Sequence, residues 1–129
     1  MGTTILIADD DHLHLKCLTH HLEKAGYSVI RATDSFHALR LAGQLKPSLI
    51  ILDINMPAGD GFSVKERLDK QGLIGNTPVI FLTAERSDRV AELAAASEAY
   101  ALLHKPCHFN ELLCTVRESL EYAGLREAA

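Results

Sequence analysis

Leu49-Ile50-Ile51-Leu52-Asp53-Ile54-Asn55-Met56-Pro57 is the stretch on which the fold turns. Four apolar residues run without interruption into one carboxylate, and a proline follows four positions later. A short continuous apolar run reads as a strand buried on both faces, as in a parallel sheet. Asp53 then stands at the carboxyl end of that strand, the rim at which open α/β sheets bind ligands. A lone Asp there would be no more than a strand terminator or a cap, so the ends of the other strands decide what it means.

Working outward, Thr4 to Ala8 is a second apolar run, and it ends in Asp9-Asp10-Asp11. Leu15, Leu18, Leu22 and Ala25 then recur at helical spacing up to Gly26, a residue suited to the position just past a helix end. Tyr27 to Ala32 reads as a strand, and Thr33 or Asp34 as the cap of a helix carrying Phe36, Ala38, Leu39, Leu41, Ala42 and Leu45. Pro47 stops that helix. Beyond Pro57, Ala58-Gly59-Asp60-Gly61 is a loop, and Phe62, Val64 and Leu68 carry a helix to about Gln71. Val79 to Leu82 is a strand ending in Thr83-Ala84-Glu85, and Ser87 or Asp88 caps a helix with Val90, Leu93 and Ala94. Tyr100 to Leu103 is the last strand, followed by His104-Lys105-Pro106. A final helix is expected from about His108 to Tyr122, with Leu112, Leu113, Val116 and Leu120 inward and Gly124 ending it.

Five strands alternating with five helices give a doubly wound α/β sandwich, because right-handed crossovers place helices on both faces of a parallel sheet. Spacing alone does not reveal the strand order. In the flavodoxin-like order 2-1-3-4-5, strands one and three are neighbours at the switch point. Asp9, Asp10 and Asp53 would then meet at one rim, with Thr83 and Lys105 beside them.

The 129 residues suit one domain, with a core of about residues 4–122. A hydrophobic fraction of 47% and a charged fraction of 23% are ordinary for a globular chain. With a net charge of −4 and no basic cluster, direct nucleic-acid binding is not expected. No run approaches membrane-spanning length. The start Met1-Gly2-Thr3-Thr4-Ile5-Leu6 lacks a signal-peptide pattern, and Leu6 stands where myristoylation wants Ser or Thr. Cys17, Cys107 and Cys114 form no Cys-x-x-Cys pair, which suits free thiols in a reducing cytoplasm.

Three carboxylates close together need a proton or a cation between them. Oxygen ligands at an open rim suit Mg²⁺, which prefers a couple of carboxylates, waters and phosphate oxygens. Lys105 offers a point positive charge for an anion, Thr83 a hydroxyl, and the backbone after the strand ends further donors. The set describes a phosphoryl site with Asp53 as nucleophile, because a carboxylate can form an acyl phosphate.

Asp9-Asp10, Asp53-Ile54-Asn55-Met56-Pro57, Asp60-Gly61, Thr83-Ala84 and Lys105-Pro106, in this order and at these separations, resemble the signature of two-component response regulator receiver domains, including the single-domain chemotaxis type. The resemblance spans about residues 4–122. It implies that Asp53 receives a phosphoryl group from the phosphohistidine of a sensor histidine kinase or phosphotransfer protein, or from a small phosphodonor. It implies Mg²⁺, with Mn²⁺ as a substitute, held by Asp10, Asp53 and the backbone carbonyl of Asn55, with Asp9 acting through water. Lys105 would pair with the phosphoryl group, while Thr83 and the Ala84 backbone N–H would bond its oxygens. Side chains at Asn55 and Glu85 would tune its loss, leaving a transient, hydrolysable mark. The bond before Pro106 would be cis. The output face would be the fourth helix, fifth strand and fifth helix, read by a downstream effector domain or protein and open to homodimerisation.

Departures accompany the matches. Leu102 stands where the family usually has Tyr or Phe, so the usual aromatic coupling to Thr83 is expected to be absent or altered. Tyr100, two residues earlier, is expected on the same face of the strand. Glu98 replaces a frequent Gly and Cys107 a frequent Phe. His14, Cys17 and His21 share a helical stripe that could hold zinc with an outside ligand, against the plainer reading of a solvated flank. Two other functions compete with the phosphoacceptor. An aspartyl-phosphate phosphatase would want a second acid at Asn55 and a cap insertion. A receiver-like interaction module without phosphorylation would be favoured by loss of an acid, Thr83 or Lys105. The chain reads either as a single-domain regulator or as part of a longer regulator or hybrid kinase.

Overall fold

The computed structural model describes residues 2–56, 59–72 and 75–128. Pro57 and Ala58, which closed the opening motif and began the loop after it, lie outside the described residues. The elements alternate without exception: β1 (Thr4–Ala8), α1 (His12–Lys24), β2 (Ser28–Ala32), α2 (Ser35–Leu45), β3 (Leu49–Asp53), α3 (Gly61–Lys70), β4 (Val79–Thr83), α4 (Asp88–Ala96), β5 (Ala101–His104) and α5 (Phe109–Ala128). The strands form one parallel sheet in the order β2-β1-β3-β4-β5.

Strand alternation divides the core into two layers. Leu6, Ala8, Ile50, Leu52, Val79 and Phe81 face Ala38 and Ala42 of α2, Val64 and Leu68 of α3, and Val90 and Ala94 of α4. Ile5, Ile7, Leu49, Ile51, Ile80, Leu82 and Leu103 face Leu15, Leu18 and Leu22 of α1 and Leu112 and Val116 of α5. Both faces of β1, β3 and β4 are therefore covered, which is why these strands read as continuous apolar runs rather than as alternating ones.

Helix starts follow short polar caps. Asp11, Asp34, Asp60 and Ser87 each accept backbone N–H groups of the first turn of α1, α2, α3 and α4. Asp34, not Thr33, caps α2, and Ser87, not Asp88, caps α4. Tyr27 does not open β2. Its N–H donates to Leu22 O at 3.1 Å while that of Gly26, at φ 102°, donates to Glu23 O, so both residues close the end of α1.

Two further expectations fail. Gly124 does not end α5, which continues to Ala128. A glycine inside a helix costs only about 1 kcal/mol, and Tyr122 and Arg126 bridge it one turn apart, the guanidinium 5.7 Å from the ring centre. Tyr100 does not share the face of Leu102. It precedes β5 and packs with the α1–α5 layer, its ring 5.6 Å from that of Tyr122, whereas Leu102 packs in the α2–α4 layer. Glu98, at φ 60°, turns the chain in the left-handed conformation just before, so period-two alternation does not reach back to Tyr100.

Candidate functional site at the carboxyl rim

Register brings the strand ends together. Ala8 pairs with Leu52, Asp53 with Leu82, and Thr83 with His104, so Asp9, Asp53, Thr83 and Lys105 all stand at one end of three adjoining strand pairs. Ligand oxygens of Asp9, Asp10 and Asp53 lie within 4.8 Å of one another. Asp9 is 1% exposed, Asp53 6% and Thr83 0%, while Asp10 opens to solvent.

A cation sits among the acids, and it is Lys105. Its Nζ donates to Asp9 Oδ2 at 3.1 Å and to Asp53 Oδ2 at 3.3 Å, and its side chain is 21% exposed. The Lys105–Pro106 bond is cis, and the backbone N–H of Lys105 donates to Thr83 O at 2.8 Å. Thr83 Oγ1 accepts the Glu85 N–H at 3.1 Å and retains its own proton to donate. Asn55 is exposed, and its N–H donates to Asp53 Oδ1 at 3.3 Å. Ala84 follows β4 directly and is exposed. The Glu85 carboxylate is engaged at the start of α4, accepting the Ser87 hydroxyl at 2.8 Å with Arg89 3.9 Å away. Leu102 lies half-buried on β5.

The two buried acids differ in proton affinity. Burial pushes the Asp9 carboxyl up, but hydrogen bonds from His14, the Asp11 backbone and Lys105 outweigh it and hold the group at about 2. Burial pushes Asp53 up as well. Lys105 opposes that, the Asp9 charge adds to it, and the result lies above the ordinary carboxylate value. Burial would lower Lys105, yet its bonds to Asp9 and Asp53 hold it above its usual range. Asp9 is thus a standing anion and Asp53 the more basic carboxylate of the pair.

Because the Asp9 value is depressed in the fold, its stabilisation is fully present above the unfolded value of 3.8 and is lost as pH falls through about 2. In chelator-treated protein, the unfolding free-energy difference between wild type and Asp9→Asn should shrink by about 2 kcal/mol between about pH 5 and pH 2. Urea titrations at several pH values would read it, and a difference that does not change with pH would contradict it.

Two positions escape a reading by periodicity. Gly61 counts as a loop residue in the sequence, yet it opens α3 against β3: a Cβ there would lie 2.7 Å from Asp53 O and 3.1 Å from Ile54 Cα. Both are backbone atoms and cannot swing aside. Gly61→Ala should therefore cost about 1–3 kcal/mol and displace the Asp53 carbonyl. Thermal unfolding together with amide shifts at Asp53 and Ile54 would check this, and an unchanged melting temperature would refute it. The second position is His14, whose Nδ1 lies 2.6 Å from Asp9 Oδ2. The cap at Asp11 was the available signal, because it places position 14 in the first turn, above the strand end. The stripe of His14, Cys17 and His21 divides accordingly: His14 turns to Asp9, His21 stacks on Phe109 at 3.4 Å, and Cys17 is exposed. Among the described residues, the acid trio is the group arranged to hold a metal.

The donor set fits Mg²⁺, being carboxylate oxygens from two adjoining strands with one member open to solvent.

Comparisons with known proteins agree with this geometry. Residues 5–117 match the family model described as response regulator receiver domain. The DNA-binding dual master transcriptional regulator RpaA of Synechocystis is 38% identical over 118 residues, 90% of this chain and 48% of that protein. The chain spans about half the length of the curated relatives it matches. A CheY-like receiver domain from Methanospirillum hungatei superposes with a TM-score of 0.92 at 26% identity, covering 98% of this chain and 99% of that one. A Burkholderia pseudomallei response regulator, solved with a phosphorylated aspartic acid, calcium ion and citrate, gives 0.82 at 27% identity, covering 98% and 74%.

Proposed function

Because the chain belongs to the response regulator receiver domain family, we propose that Asp53 is its phosphoacceptor and that residues 1–129 act as one phosphorylation switch. The observation that carries this is the Lys105 ammonium shared between Asp9 and Asp53 at the carboxyl rim. The Burkholderia regulator, with its phosphorylated aspartic acid, supports the reading.

An oxygen of Asp53 attacks phosphorus, a P–O bond forms, and the bond from phosphorus to the donor breaks. The donor is the phosphohistidine of a kinase or phosphotransfer protein, or a small acyl phosphate such as acetyl phosphate. Water later attacks phosphorus, releasing inorganic phosphate and restoring the carboxylate. Asp10, Asp53 and the Asn55 carbonyl would hold Mg²⁺ or Mn²⁺, with Asp9 acting through water. When bound, the ion neutralises charge on the phosphoryl oxygens. Lys105 turns from the two carboxylates to the phosphoryl group. Thr83 and the Ala84 N–H donate to its oxygens, and the positions of Asn55 and Glu85 govern access of water.

The domain is a signalling phosphoacceptor. Self-phosphorylation and autodephosphorylation are the only chemistry it needs of its own. The face of α4, β5 and α5 would carry the signal to an effector domain, a separate protein or a second copy, in the cytoplasm. No helix among the described residues is long and apolar enough to cross a membrane. With Leu102 at the position of the usual aromatic, the coupling of that face to Thr83 would be absent or altered.

Intact mass after incubation with acetyl phosphate, with Mg²⁺ or with excess chelator, tests the proposal. A phosphoryl adduct that needs the cation supports it. No adduct with either acetyl phosphate or a phosphorylated kinase would favour an interaction module.

A further inference from the structure

We propose that His14 is a positioning residue for the cation and phosphoryl site, acting through Asp9. The inference rests on the reading of Asp9 as part of that site. Asp9 is ionised at neutral pH, and a carboxylate only accepts hydrogen bonds. The 2.6 Å contact therefore requires that Nδ1 of His14 carry a proton and donate it to Oδ2. The same oxygen accepts Lys105 Nζ at 3.1 Å, and Oδ1 accepts the Asp11 N–H at 3.0 Å. A carboxylate offers about four lone-pair directions. Three are taken by these donors, which leaves one, on Oδ1, for the water shell of a cation. His14 thereby fixes which oxygen of Asp9 faces the site.

The contact also matters when Lys105 leaves. Lys105 serves Asp9 and Asp53 together, and a phosphoryl group on Asp53 draws the ammonium toward itself. Asp9 is 1% exposed and, with His14 removed, would face that step without a partner on Oδ2. The His14 ring stays within reach, because α1 holds its backbone: the Asp11 cap accepts the His14 backbone N–H at 3.1 Å. Groups that orient a metal-site carboxylate typically change affinity or rate by about ten- to a hundredfold when removed.

His14→Leu should weaken Mg²⁺ binding by about tenfold in calorimetry and slow phosphoryl uptake at saturating Mg²⁺ by a similar factor. His14→Asn places an amide N–H near the position of Nδ1 and should recover most of both. The His14 side chain is 27% exposed, so the helix surface accommodates either substitution. In metal-free wild type, a ¹H–¹⁵N spectrum should show a hydrogen-bonded proton on Nδ1. Rescue by Asn would separate positioning from mere packing. His14→Leu with unchanged or tighter Mg²⁺ binding, or an Nδ1 without a proton, would overturn the inference while leaving the phosphoacceptor reading intact. A wild type that binds no Mg²⁺ would overturn the cation reading and this inference with it.

Discussion

Asp53→Asn is expected to take up no phosphoryl group from acetyl phosphate at any Mg²⁺ concentration, a complete loss rather than a slowing. An amide is neutral and a far poorer oxygen nucleophile than a carboxylate, so the P–O bond does not form. The fold should survive, because Asn has the shape of Asp and can still accept the Asn55 N–H. It should even gain stability when metal-free. Burial and the Asp9 charge hold the Asp53 carboxyl above its ordinary value, so at pH above that of the unfolded chain its ionised form weighs against the folded state. Removing the charge lifts that penalty, and the melting temperature in chelator should be higher than wild type. Intact mass and calorimetry on the same samples separate the two effects. An adduct on Asp53→Asn would show that another side chain is the acceptor and would sink the assignment.

Lys105→Ala should slow phosphoryl uptake at saturating Mg²⁺ by about 10²–10³-fold, the range seen when one fixed electrostatic contact to a developing charge is removed. Mg²⁺ affinity should move the other way, tightening by about tenfold, because a cation competing for Asp9 and Asp53 is gone. Without metal the variant should be less stable by about 2 kcal/mol, since two buried acids lose their shared partner, although partial exposure of the lysine moderates the cost. Lys105→Arg should not restore the rate, because a planar fork does not reproduce a point charge placed between two carboxylates. Rates by quenched mass spectrometry and Mg²⁺ titration by calorimetry would check both directions. Uptake at the wild-type rate in Lys105→Ala would show that Lys105 is an ion-pair partner and nothing more. The opposite signs expected for Mg²⁺ affinity at Lys105 and His14 also distinguish a competing charge from an orienting hydrogen bond.

The apolar runs at 5–8, 49–52 and 79–82 determined three buried strands by themselves, because the middle of a strand covered on both faces is apolar at every position. Each is followed within a residue by a group capable of chemistry, so Asp9, Asp53 and Thr83 were legible as rim residues, and Lys105 by the same logic after β5. The caps of α2 and α4 were legible to within one residue for a local reason: a short polar side chain must accept the first free N–H groups of a helix.

Tertiary structure alone decided the rest. Strand order and register are non-local, and they put Lys105 within hydrogen-bonding reach of residues 96 and 52 positions away. The turn at Glu98 set the face of Tyr100, which alternation cannot predict once a left-handed residue intervenes. Continuation of α5 through Gly124 and the steric closeness of Gly61 to β3 depend on neighbours that a glycine does not announce in sequence. The His14–Asp9 bond required the angle at which α1 leaves β1. Local composition determines which residues stand at the ends of elements. Packing of the sheet determines which of those ends meet, and charge and hydrogen bonding act only over the distances that packing sets.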